Sequence, residues 1–213
     1  MGDKYQVEWL ISLSERIKCP ILEIGSKRYG PPPKFFDYRE ICPKGKYIGV
    51  DCEKGVGVDL IIDMTSKPDE ILQRLGNEKF NTIICMSVME HVKDIYSFAS
   101  NVKMLMNISA SIFVSVPFIW GIHAYPDDYW RFTPSAIKFL FSEIVFDNEL
   151  SIIHTSDGRK ASLSKVGNDY AQWMAAKTDI FDSLRKSLLN TSVNSRNTPM
   201  VPVMFDMYGV KLV

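Results

Sequence analysis

Glu23, Gly25, Asp51 and Asp63 each stand at the end of a short apolar run, as do Cys85 and Met86. A carboxylate at such an end can accept both hydroxyl hydrogens of a ribose, and a glycine lets a ligand pass close to the backbone, so this set could hold a nucleoside. A second concentration of reactive types runs from Pro117 to Pro134, PFIWGIHAYPDDYWRFTP. It combines His123, Asp127, Asp128, Tyr125, Tyr129 and Arg131 with aromatic faces, the mixture that a polar ligand with apolar faces needs.

Such residues work only if the chain positions them. Trp9, Leu10, Leu13 and Ile17 have helical spacing over residues 5 to 18, before Pro20 forces the chain out of helix. The apolar runs 21–25, 46–51, 58–63, 80–86 and 111–117 read as buried strands. Helices are expected at 66–76 and 93–106, and another beyond Thr133-Pro134-Ser135 to Val145. Strand 150–154 and a last strand near 201–205 complete the count. Strands apolar on both faces that alternate with helices imply an α/β fold, Rossmann-like, with a mostly parallel sheet and helices on both faces.

A chain of 213 residues, 46% hydrophobic and 23% charged, is sized for a single domain, 1–213, with 1–19 as an opening helical segment. Residues 157 to 197 are more polar and read as an insertion or lid, with Tyr170, Trp173 and Met174 as one apolar cluster. The 25 basic residues balance the 25 acidic ones, so no net field attracts a nucleic acid. Cys19, Cys42, Cys52 and Cys85 stand singly, without metal-ligand spacing, which suits reduced thiols in the cytoplasm. No apolar run is long enough for a membrane span. No feature fixes an oligomeric state.

The loop after the first strand separates two cofactor classes that share the ribose-binding acid. A pyrophosphate needs closely approaching backbone N–H groups and hence GxGxxG, whereas S-adenosylmethionine carries no phosphate. The loop here is Gly25-Ser26-Lys27-Arg28-Tyr29-Gly30, and its three bulky residues spoil the dinucleotide fingerprint. That disfavours an NAD-dependent oxidoreductase. Taken singly, each residue has a plainer role: Gly25 as a turn glycine, Asp51 as a helix cap, Asp63 as a loop acid, Glu23 as a buried acid paired to a neighbour.

With ILEIGS, YIGVDCE, DLIIDMTS and FNTIICMSVMEHVKD in order, the chain resembles the class I S-adenosylmethionine-dependent methyltransferases over about residues 20 to 155. The resemblance implies that Glu23 and Gly25 border the methionine end, that Ser26 is a further cofactor-binding residue and that Asp51 holds the ribose. It implies further that Cys52, Asp63 and Met64 meet the adenine, that Met86 lies beside the cofactor, and that S-adenosylhomocysteine is the product. The sequence departs from the family at Lys27, where another glycine is usual.

The segment from His123 to Thr133 resembles that of methyltransferases associated with surface-glycan and secondary-metabolite pathways. It implies a small-molecule or glycan-precursor acceptor, such as a capsule precursor, methylated on oxygen. His123 is the first candidate to assist removal of the acceptor proton and His91 the second, because an unperturbed imidazole titrates near neutrality. Tyr125, Asp127, Asp128, Tyr129 and Arg131 are the candidate acceptor-binding residues. In the plainer alternative, Arg131 pairs with Asp127 or Asp128 while Trp130 and Phe132 anchor the next helix. The piece Met86 to His91 also resembles the metal-bearing segment of some quinone-biosynthesis O-methyltransferases, but Ser87 stands where an acid is expected, so no metal is expected. His154 reads as structural. A non-catalytic binding scaffold on the same fold is the rival from a different class.

Overall fold

The computed structural model describes residues 4–29, 37–123, 127–155, 158, 160–166 and 202–212. Its centre is a nine-stranded sheet. The strands are β1 (Ile21–Ile24), β2 (Tyr47–Asp51), β3 (Leu60–Ile61), β4 (Phe80–Met86), β5 (Met106–Pro117), β6 (Ile144–Phe146), β7 (Ile152–Thr155), β8 (Lys160–Ser162) and β9 (Pro202–Lys211). They run in the order β3-β2-β1-β4-β5-β9-β7-β8, with β6 also on β9. β1 to β5 pair in parallel, while β9 is antiparallel to β5, β6 and β7.

Apolar alternation assigns the two faces. Leu22 and Ile24 of β1 and Ile112, Val114 and Val116 of β5 join the larger core. Helices α2 (Pro68–Arg74), α3 (Ile95–Leu105) and α4 (Pro134–Leu140) cover it with Ile71, Phe98, Val102 and Ile137. Ile21, Ile84, Met86 and Phe113 turn to the other face, where α1 (Lys4–Ser12) packs Trp9 and Leu10. Helices on both faces of a mostly parallel sheet are therefore observed. α3 starts at an Asp94 cap that accepts from Ser97 N, and α4 at a Thr133 cap that accepts from Ala136 N, with Pro134 in the first turn.

Some boundaries differ from the expectations. α1 stops at Ser12, and one 3-10 turn at Ser14–Arg16 replaces its last stretch. The helix expected to reach Val145 ends at Leu140, because Ile144, Val145 and Phe146 pair with Lys211, Val210 and Gly209 of β9 instead. β-branched and aromatic side chains favour that partner over another helical turn. β9 is longer than the run 201–205 and extends to Lys211. Most of the expected insertion at 157–197 lies outside the described residues. Within it, Lys160–Ser162 is β8 and Leu163–Val166 is the short helix α5.

One buried polar chain crosses the second face. Gln6 donates to Ser87 Oγ at 2.9 Å and to Ser115 Oγ at 2.5 Å, and Ser115 bonds in turn to Asp206. Asp206 also meets His154 Nδ1 at 2.7 Å, both side chains being 0% exposed. His154, which sequence position alone left without a partner, is thus buried against a carboxylate.

Candidate functional site

The strand order reverses between β1 and β4, so the crevice at the carboxyl ends of β1, β2 and β4 is where such a sheet receives a ligand. A cavity of about 740 Å³ opens there. Gly25, Asp51, Cys52, Asp63 and Met64 line one end, and Ser87, Glu90, His91, Trp120, His123 and Tyr129 the other, with Gln6 of α1 also on the wall.

Asp51 ends β2 and is oriented by backbone: it accepts from Lys27 N at 3.1 Å and from Glu53 N at 3.0 Å. Cys52 Sγ lies 3.6 Å from the same carboxylate, and burial, with Asp51 next in importance, pushes the thiol up to about 11. Asp63 accepts from Thr65 N at 2.8 Å and Thr65 Oγ1 at 2.7 Å, which fixes the turn after β3. Asn101 of α3 holds the next carbonyls, donating to Met64 O and Ser66 O.

Gly25 has φ +77, and a Cβ on it would come within 2.2 Å of Val88 Cγ2. Only glycine suits both the left-handed backbone and the close neighbour. The bulk at Lys27 and Arg28 is accommodated across the gap. Arg28 N donates to Val56 O at 3.0 Å, and Gly57, at φ +90, leaves the space in which Ser26 O and the Arg28 side chain sit. Both charges in this loop are already matched. Lys27 pairs with Glu53 above the Tyr29 ring, and Arg28 with Asp37 at 2.5 Å.

Three expected residues sit elsewhere. Glu23 is 6% exposed, faces the opposite side of β1 from Ile24, and accepts from Tyr47 OH at 2.8 Å rather than lining the cavity. Ser26 is buried beneath the loop, its hydroxyl without a hydrogen-bond partner, and is off the cavity wall. Met86 packs into the α1 core, and alternation along β4 hands the cavity position to Ser87, which adopts φ 55.

Burial is the main cause that raises Glu23 from 4.5 to about 7, so the folded protein holds this proton more tightly than the unfolded chain does. Its contribution is fully present below pH 4.5 and is lost as pH rises through about 7. Glu23→Gln, which keeps an acceptor for Tyr47, should therefore stabilise the fold at pH 8 by on the order of 1–3 kcal/mol and change it little at pH 4. Urea unfolding at the two pH values checks this, and an equal effect at both would contradict it.

At the other end, the loop after β5 is stitched to the 3-10 turn Met89–His91 after β4: Tyr129 N and Trp130 N both donate to Glu90 O. His91 and His123 meet edge to face with centroids 4.8 Å apart. His91 Nδ1 lies 2.7 Å from Asp127 O. His123 Nδ1 lies 3.1 Å from Gly121 O and 3.2 Å from Asp128 Oδ2. Arg131 grips Asp128 through both terminal nitrogens, at 2.5 and 2.7 Å, and holds that carboxyl well below its usual range. Burial is the first cause lowering the His91 pKa, and burial raises Glu90 to about 7.

The acceptor-loop candidates thus divide. Tyr129 lines the cavity and donates to Asp127, whereas Asp127, Asp128 and Arg131 are off the wall. Asp128 and Arg131 instead orient His123, and Trp130 anchors the loop on Val92 O at 2.8 Å and stacks on Phe132. Tyr125 lies outside the described residues. Sequence reasoning missed Gln6 and Ser87. Gln6 carried no local signal, since its role depends on where α1 docks. It also set a metal aside, yet one donor atom each of Glu90, His91 and His123 lies within 4.8 Å of the other two.

No family model matches the chain, and no curated protein does. Solved structures do. A SAM-dependent methyltransferase from Archaeoglobus fulgidus superposes with TM-score 0.55 at 15% identity over 98% of this chain and 95% of that one. The 1,6-didemethyltoxoflavin-N1-methyltransferase of Burkholderia thailandensis, with didemethyltoxoflavin and S-adenosylhomocysteine bound, gives 0.53 at 10% identity over 98% and 77%. An O-methyltransferase of a Brevibacillus brevis trans-AT polyketide synthase, bound to S-adenosylhomocysteine, gives 0.50 at 12% over 95% and 71%. What the chain has in common with them is the fold, that of the class I methyltransferases. No helix among the described residues is long and apolar enough to cross a membrane.

Proposed function

We propose that this protein is an S-adenosylmethionine-dependent methyltransferase that methylates an oxygen of a small molecule in the cytoplasm, with a sugar or glycan precursor as the preferred acceptor. The observation that carries the reading is one cavity with two chemically different ends, a nucleoside-type end at Gly25, Asp51 and Asp63 and an imidazole–aromatic end at His91, His123, Trp120 and Tyr129.

The residues fit such a cofactor. Asp51 would hold the ribose hydroxyls, Gly25 leaves room for the amino-acid portion, and Cys52, Asp63 and Met64 flank the adenine. The paired charges of Lys27 and Arg28 argue against a pyrophosphate at this loop. S-adenosylmethionine, when bound, supplies a methyl group activated by a sulfonium. The chain's own task is to align the acceptor and help its hydroxyl lose a proton. Trp120 and Tyr129 offer faces on which a sugar ring can stack, and the Glu90–His91–His123 cluster assists the proton's departure. The glycan preference is supported by the sequence resemblance of the acceptor loop.

Calorimetric titration with S-adenosylhomocysteine, run beside NAD, tests the cofactor. Saturable binding of the former alone is expected; NAD alone would mean an oxidoreductase, and neither a scaffold. Asp51→Ala should weaken S-adenosylhomocysteine binding by about 1–3 kcal/mol, roughly fivefold to 150-fold, through lost charge-assisted hydrogen bonds. Unchanged affinity in the folded variant would remove Asp51 from the site. Mass spectra of acceptor mixtures then test the oxygen: methylation only of nitrogen on protein or nucleic acid would overturn the small-molecule reading.

A further inference from the structure

We infer that Glu90, His91 and His123 form a binding site for a divalent transition-metal ion at the acceptor end of the cavity. Each contributes one donor atom, and the three atoms lie within 4.8 Å of one another, which a contraction of under an ångström per ligand converts into a coordination shell.

The hydrogen bonds around the cluster point the same way. A ring nitrogen beside a carbonyl oxygen must carry the proton, so Nδ1 of His91 donates to Asp127 O and Nδ1 of His123 to Gly121 O, with Asp128 Oδ2 3.2 Å from the latter. The lone pair of each imidazole is therefore on Nε2. A histidine ligand usually has its second nitrogen engaged in this way by a carbonyl or carboxylate, which sets tautomer and ring direction. Asp128 is itself locked by Arg131, so the orienting partner of His123 is fixed in turn.

The independent observation is Glu90. It is 1% exposed and lines the cavity, yet its Oε2 has no hydrogen-bond partner among the described residues, while Oε1 lies 3.9 Å from His91 Nε2. A buried carboxylate oxygen left unpaired is costly, and a cation removes that cost. Two imidazoles and one carboxylate suit zinc, cobalt, manganese or iron rather than calcium or magnesium, which take oxygen ligands. Three protein ligands leave an open position facing the cavity. The role there rests on the methyltransferase reading: an acceptor hydroxyl bound at that position becomes a stronger acid, its proton leaving to solvent water.

The metal site itself is tested without any turnover, on the full chain stripped with chelator and titrated with Co2+. One equivalent should bind, with visible bands of nitrogen and oxygen ligation and no thiolate charge-transfer band. Glu90→Gln and His123→Gln should each lower the affinity tenfold or more, and Cys52→Ser should leave it unchanged. His91→Gln, at a partly exposed ring, keeps the test standing should Glu90→Gln fail to fold. Absence of binding, a thiolate band, or unaltered affinity in the folded cluster variants would overturn the site. S-adenosylhomocysteine titration of the same samples separates the two proposals: Co2+ binding without it would sink the methyltransferase reading and leave the metal site intact.

Discussion

Asp206→Ala should cost on the order of 3–5 kcal/mol of folding stability, because two buried hydrogen bonds to one carboxylate, each worth about 1.5–3 kcal/mol, are lost together. The carboxylate and His154 are both 0% exposed, and Asp206 also accepts from Ser115. Its loss takes one acceptor from Ser115 on β5 and from His154 on β7 at once. Replacing both members by apolar groups of similar volume, Asp206→Leu with His154→Phe, should recover part of the loss, because neither of these two buried polar groups then faces the gap left by the other. Urea midpoints of the three proteins measure this. A loss below about 1 kcal/mol in Asp206→Ala would mean that water reaches the pair.

Gly25→Val should be nearly as damaging, by about 2–5 kcal/mol, and should also abolish S-adenosylhomocysteine binding. The left-handed backbone at φ +77 costs a non-glycine residue about 1–2 kcal/mol. The approach to Val88, at 2.2 Å for the first added carbon, adds an overpacking penalty of about 1–3 kcal/mol. Gly25→Ala with Val88→Ala removes the second contribution and leaves the first, so it should melt between wild type and Gly25→Val. Equal melting temperatures for all three would refute the argument from this turn.

The strand ends were legible because an apolar run followed by Gly25, Asp51 or Asp63 needs no tertiary information. Which face a residue of that run takes was not. Glu23 and Met86 belong to the right strands, but a period of two puts them on the side opposite the cavity. Lys27 departs from the usual glycine in the first loop, and the residue that makes room for its side chain, Gly55, lies in a different loop. The pairing of His154 with Asp206 crosses 52 residues, and that of His91 with the His123 loop crosses 36, so neither left a local pattern. Arg131 with Asp128, three residues apart, was readable as a pair; that it aims His123 was not.

β9 sits between β5 and β7 and carries β6 as well, although it is the last strand along the chain. Ser111 meets Val210 in that pairing, so the sheet closes a loop of almost half the sequence. During synthesis β6 and β7 leave the ribosome before β9, the strand that joins them to β5, exists. Until residues 202–211 emerge, β5 presents an open edge and the polar chain from Gln6 stops at Ser115. Open edges recruit other chains, and such long-range closure is slow. A chain halted before β9 therefore keeps that edge open, whereas a single added strand pairs it and completes the buried network together.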